Sequence, residues 1–299
     1  MNKIILIGGP TGVGKTKLSL EVCDKFNGYL ISCDSMQIYK DMNIGTAKID
    51  KKTQKEYPHK LIDIISPSDS FSVSDYVNLA KQEIENAKKQ NKIPIIVGGT
   101  GLYMKSLLFP YSFSKTQKNQ TLREELKKLS EEKGNEFLYN ILLKKNEERA
   151  KQLHPNDVKR VIRSLEILES GEIENVELKS EYDYKLIVLD EEREVLYEKI
   201  NRRVEEMFSL GLEEEVENVI KKYNLTEENQ SMQAIGYKEF FDYFDKKISK
   251  NELIETIKLN SRHYAKRQLT WFRSMPKAEF KNFSEKDKIM SEIECFLRE

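Results

Sequence analysis

The feature that most constrains this chain is a short apolar run that breaks into a glycine turn and leaves it as a helix. Lys3-Ile4-Ile5-Leu6-Ile7 ends at Gly8-Gly9-Pro10, so it reads as a buried strand rather than a signal peptide, which needs a longer apolar stretch and a small-residue cleavage site. Gly9-Pro10-Thr11-Gly12-Val13-Gly14-Lys15-Thr16 then fits G-x-x-x-x-G-K-[ST] and opens an amphipathic helix from about Lys15 to Phe26. Strand before and helix after is the context that makes this motif a phosphate-binding loop. Glycines let successive backbone N–H groups converge on one anion, and the helix N-terminus adds partial positive charge. Lys15 supplies a mobile point charge, and the Thr16 hydroxyl can bind Mg²⁺. The motif is specific for a polyphosphate and silent on what the phosphate is attached to.

Further strands follow at crossover spacing. Tyr29 to Ser32 is one. Ser72-Val73-Ser74-Asp75 has the capping-box pattern and opens a helix to about Gln90; Ile93 to Val97 is the next strand, ending in Gly98-Gly99-Thr100-Gly101. This order predicts an α/β fold with a parallel sheet core of the P-loop NTPase-like kind. From about Ser114 to Ser180 the chain is charged and helical with no strand-like run, and Lys185 to Leu189 returns as a strand. The expected organisation is therefore a core of residues 1–113 and 181–299, with 114–180 as a helical insertion domain. After Asp190 the chain is expected to be helical nearly to the end, its last strong element running from about Asn251 to Arg273.

Composition removes several classes. The 299 residues carry 50 Lys plus Arg against 50 Asp plus Glu, so only a local basic stripe could favour nucleic acid. No apolar stretch of 18 residues predicts a membrane span. Cys23, Cys33 and Cys295 form no C-x-x-C pair and read as free thiols in a reducing cytoplasm. The three histidines lack metal-ligand spacing, so no zinc site is expected.

Two loops at strand ends carry candidate chemistry. Asp34 lies just past the carboxyl end of a strand, the edge where doubly wound sheets bind ligands, so it should face the phosphate cradle. It could act as a general base or orient Mg²⁺ through water; the plainer alternative is a turn or helix-capping Asp. Ser35, Met36 and Gln37 add polar edges, and a Gln can bond adenine bidentately. Thr100 sits in the second glycine turn on the same edge, where a simple strand-to-helix turn is the alternative. Lys159, Arg160 and Arg163 lie off the apolar face made by Val158, Val161, Ile162 and Leu165. Lys258, Arg262 and Lys266 recur every four residues, while Ile257, Tyr264 and Trp271 follow a seven-residue spacing on another face. Both basic rows could track an RNA backbone or be solvated faces.

Together these segments make the chain similar to the tRNA dimethylallyltransferases of the bacterial type. The likeness is carried by residues 9–16, by Asp34-Ser35-Met36-Gln37-Ile38-Tyr39-Lys40 with Ile44-Gly45-Thr46-Ala47-Lys48, by Pro58-His59-Lys60-Leu61-Ile62-Asp63, and by Gly98 to Tyr103. It continues through Asp157 to Glu166, Arg203 with Gly211-Leu212, Gln233 to Glu239, and Tyr264-Ala265-Lys266-Arg267-Gln268-Leu269-Thr270-Trp271-Phe272-Arg273. The resemblance implies dimethylallyl diphosphate held in the P-loop and transfer to the exocyclic amine of the adenosine 3′ of the tRNA anticodon. It implies Asp34 as general base, with Lys15, Arg203 and Mg²⁺ on Thr16 stabilising the leaving diphosphate. It implies tRNA contacts at Asp34 to Gln37, at Thr100, and at Lys159, Arg160, Val161, Ile162 and Arg163; some members have Gln where Lys159 stands. The insertion would grip the anticodon stem of tRNA, and the enzyme would be a cytoplasmic monomer. A small-molecule kinase would share the P-loop and an Asp at the second strand end but needs an Arg-bearing lid; a non-catalytic RNA-binding protein is the third reading.

Overall fold

The computed structural model describes residues 3–109, 119–170 and 179–299. The chain divides into two compact units, Met1–Phe109 with Ser180–Glu299, and Pro110–Lys179. The expected 113/114 boundary lies outside the described residues.

The first unit is a six-stranded parallel sheet: β1 (Lys3–Gly8), β2 (Gly28–Ser32), β3 (His59–Lys60), β4 (Ile93–Val97), β5 (Asp183–Leu189) and β6 (Ala278–Lys281), in spatial order β3-β2-β4-β1-β5-β6. β1 is central, with Ile5 opposite Ile95 of β4 and Lys185 of β5. Ile4, Ile5, Leu6 and Ile7 are fully buried. A parallel strand is covered on both faces by its crossovers, so a continuous apolar run belongs there, and each such side chain stabilises by roughly 1.5–3 kcal/mol. From β1 the chain moves through α1 (Lys15–Phe26) to the β2 side of the sheet, whereas β5 and β6 lie on the other side. The order therefore reverses beside β1, where an open sheet leaves a crevice at its carboxyl edge.

Helix boundaries follow the local chemistry. α2 (Lys51–Glu56) starts at Asp50, whose side chain accepts from the N–H groups of Lys52 and Thr53. α3 (Val73–Lys89) starts with the reciprocal Ser72–Asp75 capping box. α4 (Gly101–Leu108) follows β4 directly.

The second unit contains, among the described residues, α5 (Gln120–Lys133), α6 (Asn135–Lys145), α7 (Glu147–Lys151) and α8 (Val158–Glu169). Its core is small: Leu138, Leu142, Ala150, Val161, Ile162 and Leu165.

After β5 come α9 (Arg193–Ser209), α10 (Leu212–Tyr223), the short α11 (Glu239–Phe244), the long α12 (Lys250–Arg273) and α13 (Lys286–Arg298). α12 opens on a second capping box, Ser249 with Glu252. Here the sequence expectation needs correction. The chain is not helical throughout after Asp190: Ala278–Lys281 adds a parallel edge strand, with Leu186 opposite Ala278. Four half-buried residues, two of them charged, give no apolar run to read. α13 is likewise a substantial element beyond Arg273, anchored by buried Ile289 and Ile293. Among the described residues, no helix is long and apolar enough to cross a membrane.

Candidate active site

A cavity of about 670 Å³ opens in the first unit, lined by the glycine loop after β1, the turn after β2 and the turn after β4, together with faces of α9 and α12. The loop can wrap an anion because Gly12 (φ 86°) and Gly14 (φ 92°) hold left-handed conformations that L side chains rarely adopt. Thr11, Gly12, Gly14, Lys15 and Thr16 line the cavity. Gly9, Pro10 and Val13 do not; Val13 turns its side chain into the hydrophobic core, so these three can offer a ligand only backbone.

Three charged groups expected to work together do gather here. Lys15 Nζ donates to Pro10 O at 2.6 Å. Burial, reinforced by the positive charge of Arg203 and partly offset by Asp34, lowers the Lys15 ammonium to about 8. Arg203, on α9, also has its pKa lowered by burial, against the favourable charges of Asp34 and Glu206. Lys15 and Arg203, both half-buried, line a cavity whose carboxylate is Asp34, which leaves an excess of positive charge that an anionic ligand would neutralise.

Asp34 Oδ1 accepts from the Met36 N–H at 2.9 Å and the Gln37 N–H at 3.4 Å. The plain turn-capping reading of Asp34 and its place in the cavity are thus both true. Ser35, Met36 and Gln37 line the same wall. Gln37 Nε2 donates to the carbonyls of Thr46 (3.1 Å) and Ala47 (3.4 Å). Both amide hydrogens are spent, so Gln37 cannot read adenine bidentately as its type suggested; it offers only its oxygen. Thr100 is not in the cavity lining; its Oγ1 accepts from the Ser35 N–H at 3.0 Å and so supports the 34–37 turn.

The expected basic stripe on α12 is not a free one. Lys258 is buried and donates to Glu205 and Glu255, both at 2.8 Å, and Arg262 Nη1 donates to Asn201 at 2.6 Å. The other face of α12 is the one that meets the cavity. Ile257, Ser261, Tyr264, Arg267 and Gln268 line the cavity, and Gln268 Nε2 donates to Gly99 O at 2.9 Å. Burial and the charge of Asp34 push the Tyr264 hydroxyl far above its usual range. The seven-residue spacing put Ile257 and Tyr264 on one face of this helix without assigning that face a role. Sequence reasoning missed His59 and Ile62, and the 233–238 segment, as cavity-lining residues, although all lie in motifs it singled out.

In the second unit, Lys159 and Arg160 are exposed on α8. Arg160 pairs with Asp157 at 3.4 Å. Arg163 Nη1 donates to Glu166 at 2.7 Å. Val161 and Ile162, expected alongside them as tRNA contacts, are buried in the core of the insertion, so their side chains are not available to RNA.

Comparison with known proteins decides the lineage. The profile described as IPP transferase matches residues 37–275. A tRNA dimethylallyltransferase of Exiguobacterium sp. is 45% identical over 273 residues, covering 90% of this chain and 87% of that one. The chain belongs to the IPP transferase family. Another family member, the tRNA dimethylallyltransferase of Bacillus anthracis, is also 45% identical, over 91% of this chain and 88% of its own. Among solved structures, the full-length tRNA isopentenylpyrophosphate transferase of Bacillus halodurans superposes with a TM-score of 0.76 at 39% identity, covering 100% of this chain and 97% of that one. A eukaryotic dimethylallyltransferase acting on tRNA gives a TM-score of 0.83 at 30% identity, over 98% of this chain and 79% of that one. The α/β core with its parallel sheet is thus the family's fold. The profile match begins at Gln37, beyond the phosphate-binding loop, whereas the Bacillus halodurans likeness spans the whole chain.

Proposed function

We propose that this chain transfers a dimethylallyl group from dimethylallyl diphosphate to the exocyclic amine of the adenosine 3′ of the anticodon in tRNA. The observation that carries the reading is one cavity joining a phosphate-binding loop to Lys15, Arg203 and Asp34. The names of the relatives supply the reaction; the cavity supplies groups suited to it. The diphosphate of the donor sits in the loop formed by Gly9 to Thr16. The N–C bond forms as the allylic C–O bond breaks, the bonding pair leaves with the diphosphate, and the amine proton passes to Asp34. Charge grows on the departing oxygens, and the loop N–H groups, Lys15 and Arg203 would stabilise it there. An exocyclic aryl amine is a weak nucleophile, and removing its proton as the bond forms helps.

Mg²⁺ fits this chemistry through the donor. Among the described residues no group of three or more His, Cys, Asp or Glu could hold a metal, so an ion would depend on the diphosphate and water for its other ligands. The Thr16 hydroxyl, exposed on the cavity wall, would hold it. When bound, the ion would neutralise the leaving group.

The target base must leave its stack to enter an enclosed cavity. Asp34 to Gln37 line its path, Thr100 supports them, and Lys159, Arg160 and Arg163 of the helical insertion meet the anticodon-stem phosphates. The enzyme works as a cytoplasmic monomer. The test is incubation of the chain with tRNA and dimethylallyl diphosphate, without ATP, followed by mass spectrometry of the nucleosides. The expected product is N6-isopentenyladenosine with diphosphate released; a requirement for ATP hydrolysis overturns the reading in favour of a kinase.

A further inference from the structure

The segment between the 34–37 turn and α2 has almost no regular structure, yet it is tied down at every step. The anchor is α10. Glu215 accepts from three consecutive backbone N–H groups: Asn43 at 2.8 Å, Ile44 at 2.8 Å and Gly45 at 3.0 Å. Tyr237, fully buried, donates its hydroxyl to the same carboxylate at 2.6 Å. Farther along α10, Lys222 and Tyr223 both donate to Asp41, at 2.7 and 2.6 Å. Gly45 has no room for a side chain, because a Cβ there would lie 2.4 Å from the ring of Tyr237. Four donors on one carboxylate is a strong, directional clamp.

That clamp reaches the cavity through two carbonyls. Thr46 and Ala47 accept both hydrogens of the Gln37 side-chain amide. Only the NH₂ end of an amide can serve two carbonyls, so the other end must be the oxygen. Among the described residues that oxygen is approached only by the Ser32 hydroxyl, at 3.4 Å. Gln37, Ser32, Gly45, Thr46 and Ala47 all belong to the cavity wall.

We propose that Glu215 is a positioning residue: through the 43–47 turn it locks the Gln37 amide so that its carbonyl oxygen, an acceptor, meets the incoming base. An acceptor suits a substrate whose reacting group is an N–H donor. The inference rests on the transfer reading above, and it explains why Gly45, Glu215 and Tyr237, far apart in sequence, share one point in space.

The test is a double-mutant cycle on the full-length chain. Glu215→Gln replaces one acceptor oxygen with an NH₂ that faces backbone donors, so the turn must relax. The expected loss in kcat/KM for tRNA is about 10- to 100-fold, the scale of a small misplacement of a reacting group. The KM for dimethylallyl diphosphate should stay within about twofold, because the phosphate loop is built on other elements. In a Gln37→Ala background the same substitution should cost far less, since the group it positions is gone. Tyr237→Phe, which removes one donor, should give a smaller loss with the same split and the same coupling, and it carries the cycle if Glu215→Gln does not fold. Additive losses, or a donor KM that rises in step with the tRNA KM, overturn the positioning role. A wild-type chain that transfers nothing overturns the transfer reading instead.

Discussion

Lys15 gives the sharpest pH prediction. Its ammonium falls from 10.5 to about 8, chiefly through burial and then through Arg203. That distance corresponds to ~3 kcal/mol of disfavoured charge, at about 1.4 kcal/mol per tenfold. A bound diphosphate reverses the balance and raises the pKa again, so binding is linked to proton uptake. Below pH 8 the free site is already charged, and donor affinity should be flat. Above pH 8 each binding event must draw a proton from solution, and Kd should rise by up to about tenfold per pH unit until the pKa of the complex is reached. Without tRNA the donor is not consumed, so calorimetric titration from pH 7 to 10 reads this directly, and two buffers of different ionisation enthalpy count the proton. The same group has a stability signature of defined sign. Between pH 8 and 10.5 the unfolded chain holds more protons than the folded one, so this lysine's contribution to stability rises with pH across that window; below pH 8 its full penalty stands. Lys15→Met should therefore unfold at higher temperature than the wild type at neutral pH, with the gap closing toward pH 10. A wild-type Kd that does not change from pH 7 to 10, or a Lys15→Met variant with the same pH slope, would refute the assignment.

Asp34→Asn should bind donor and tRNA normally yet lose about 10²–10⁴ in single-turnover rate, because the amide cannot take a proton; a near-wild-type rapid-quench rate removes Asp34 from the base role. Glu166 is fully buried, accepting from Arg123 at 2.8 Å, Arg163 at 2.7 Å and the Asn119 N–H at 2.9 Å. Glu166→Ala should cost the insertion about 3–5 kcal/mol, read as faster amide exchange in residues 119–170 than elsewhere. Burial alone would raise the Glu166 pKa, but the two arginines hold it at about 2, so its stabilisation stands above pH 4.5 and fades as pH falls toward 2. Arg160→Ala should weaken tRNA binding across sequences and reduce the salt dependence by about one unit of slope; an unchanged slope makes Arg160 a solvated side chain only.

What could be read in advance was what is local. The phosphate loop, its strand and its helix occupy contiguous residues, and the capping box at Ser72 declares its helix within four positions. Strands β4 and β5 announce themselves as apolar runs because both faces are covered. What could not be read depends on partners distant in the chain. Lys258 looked like part of a basic stripe because one of its two carboxylate partners, Glu205, lies on another helix; the other, Glu255, was within reach on α12 itself. Gln37 looked free to read a base because nothing in its residue type shows that the carbonyls of Thr46 and Ala47 occupy its NH₂. Tyr264 showed the right spacing, but nothing in spacing says whether an apolar face meets a core or a ligand. Strand β6 takes its place from the exposed edge of β5 rather than from its own composition.

The position of that strand bears on how the protein is made. Phe283, just past β6, packs against the loop at Gly14, where an added Cβ would lie 3.1 Å from its ring, and Lys17 sits over the same ring. Lys286 reaches back to Glu21 of α1, and Lys3 of β1 donates to Phe296 O. The glycine loop leaves the ribosome early, but Phe283 and Lys286, which pack against it and against α1, leave it late, so the β1–α1 unit acquires its backing only when the carboxyl-terminal elements have been made.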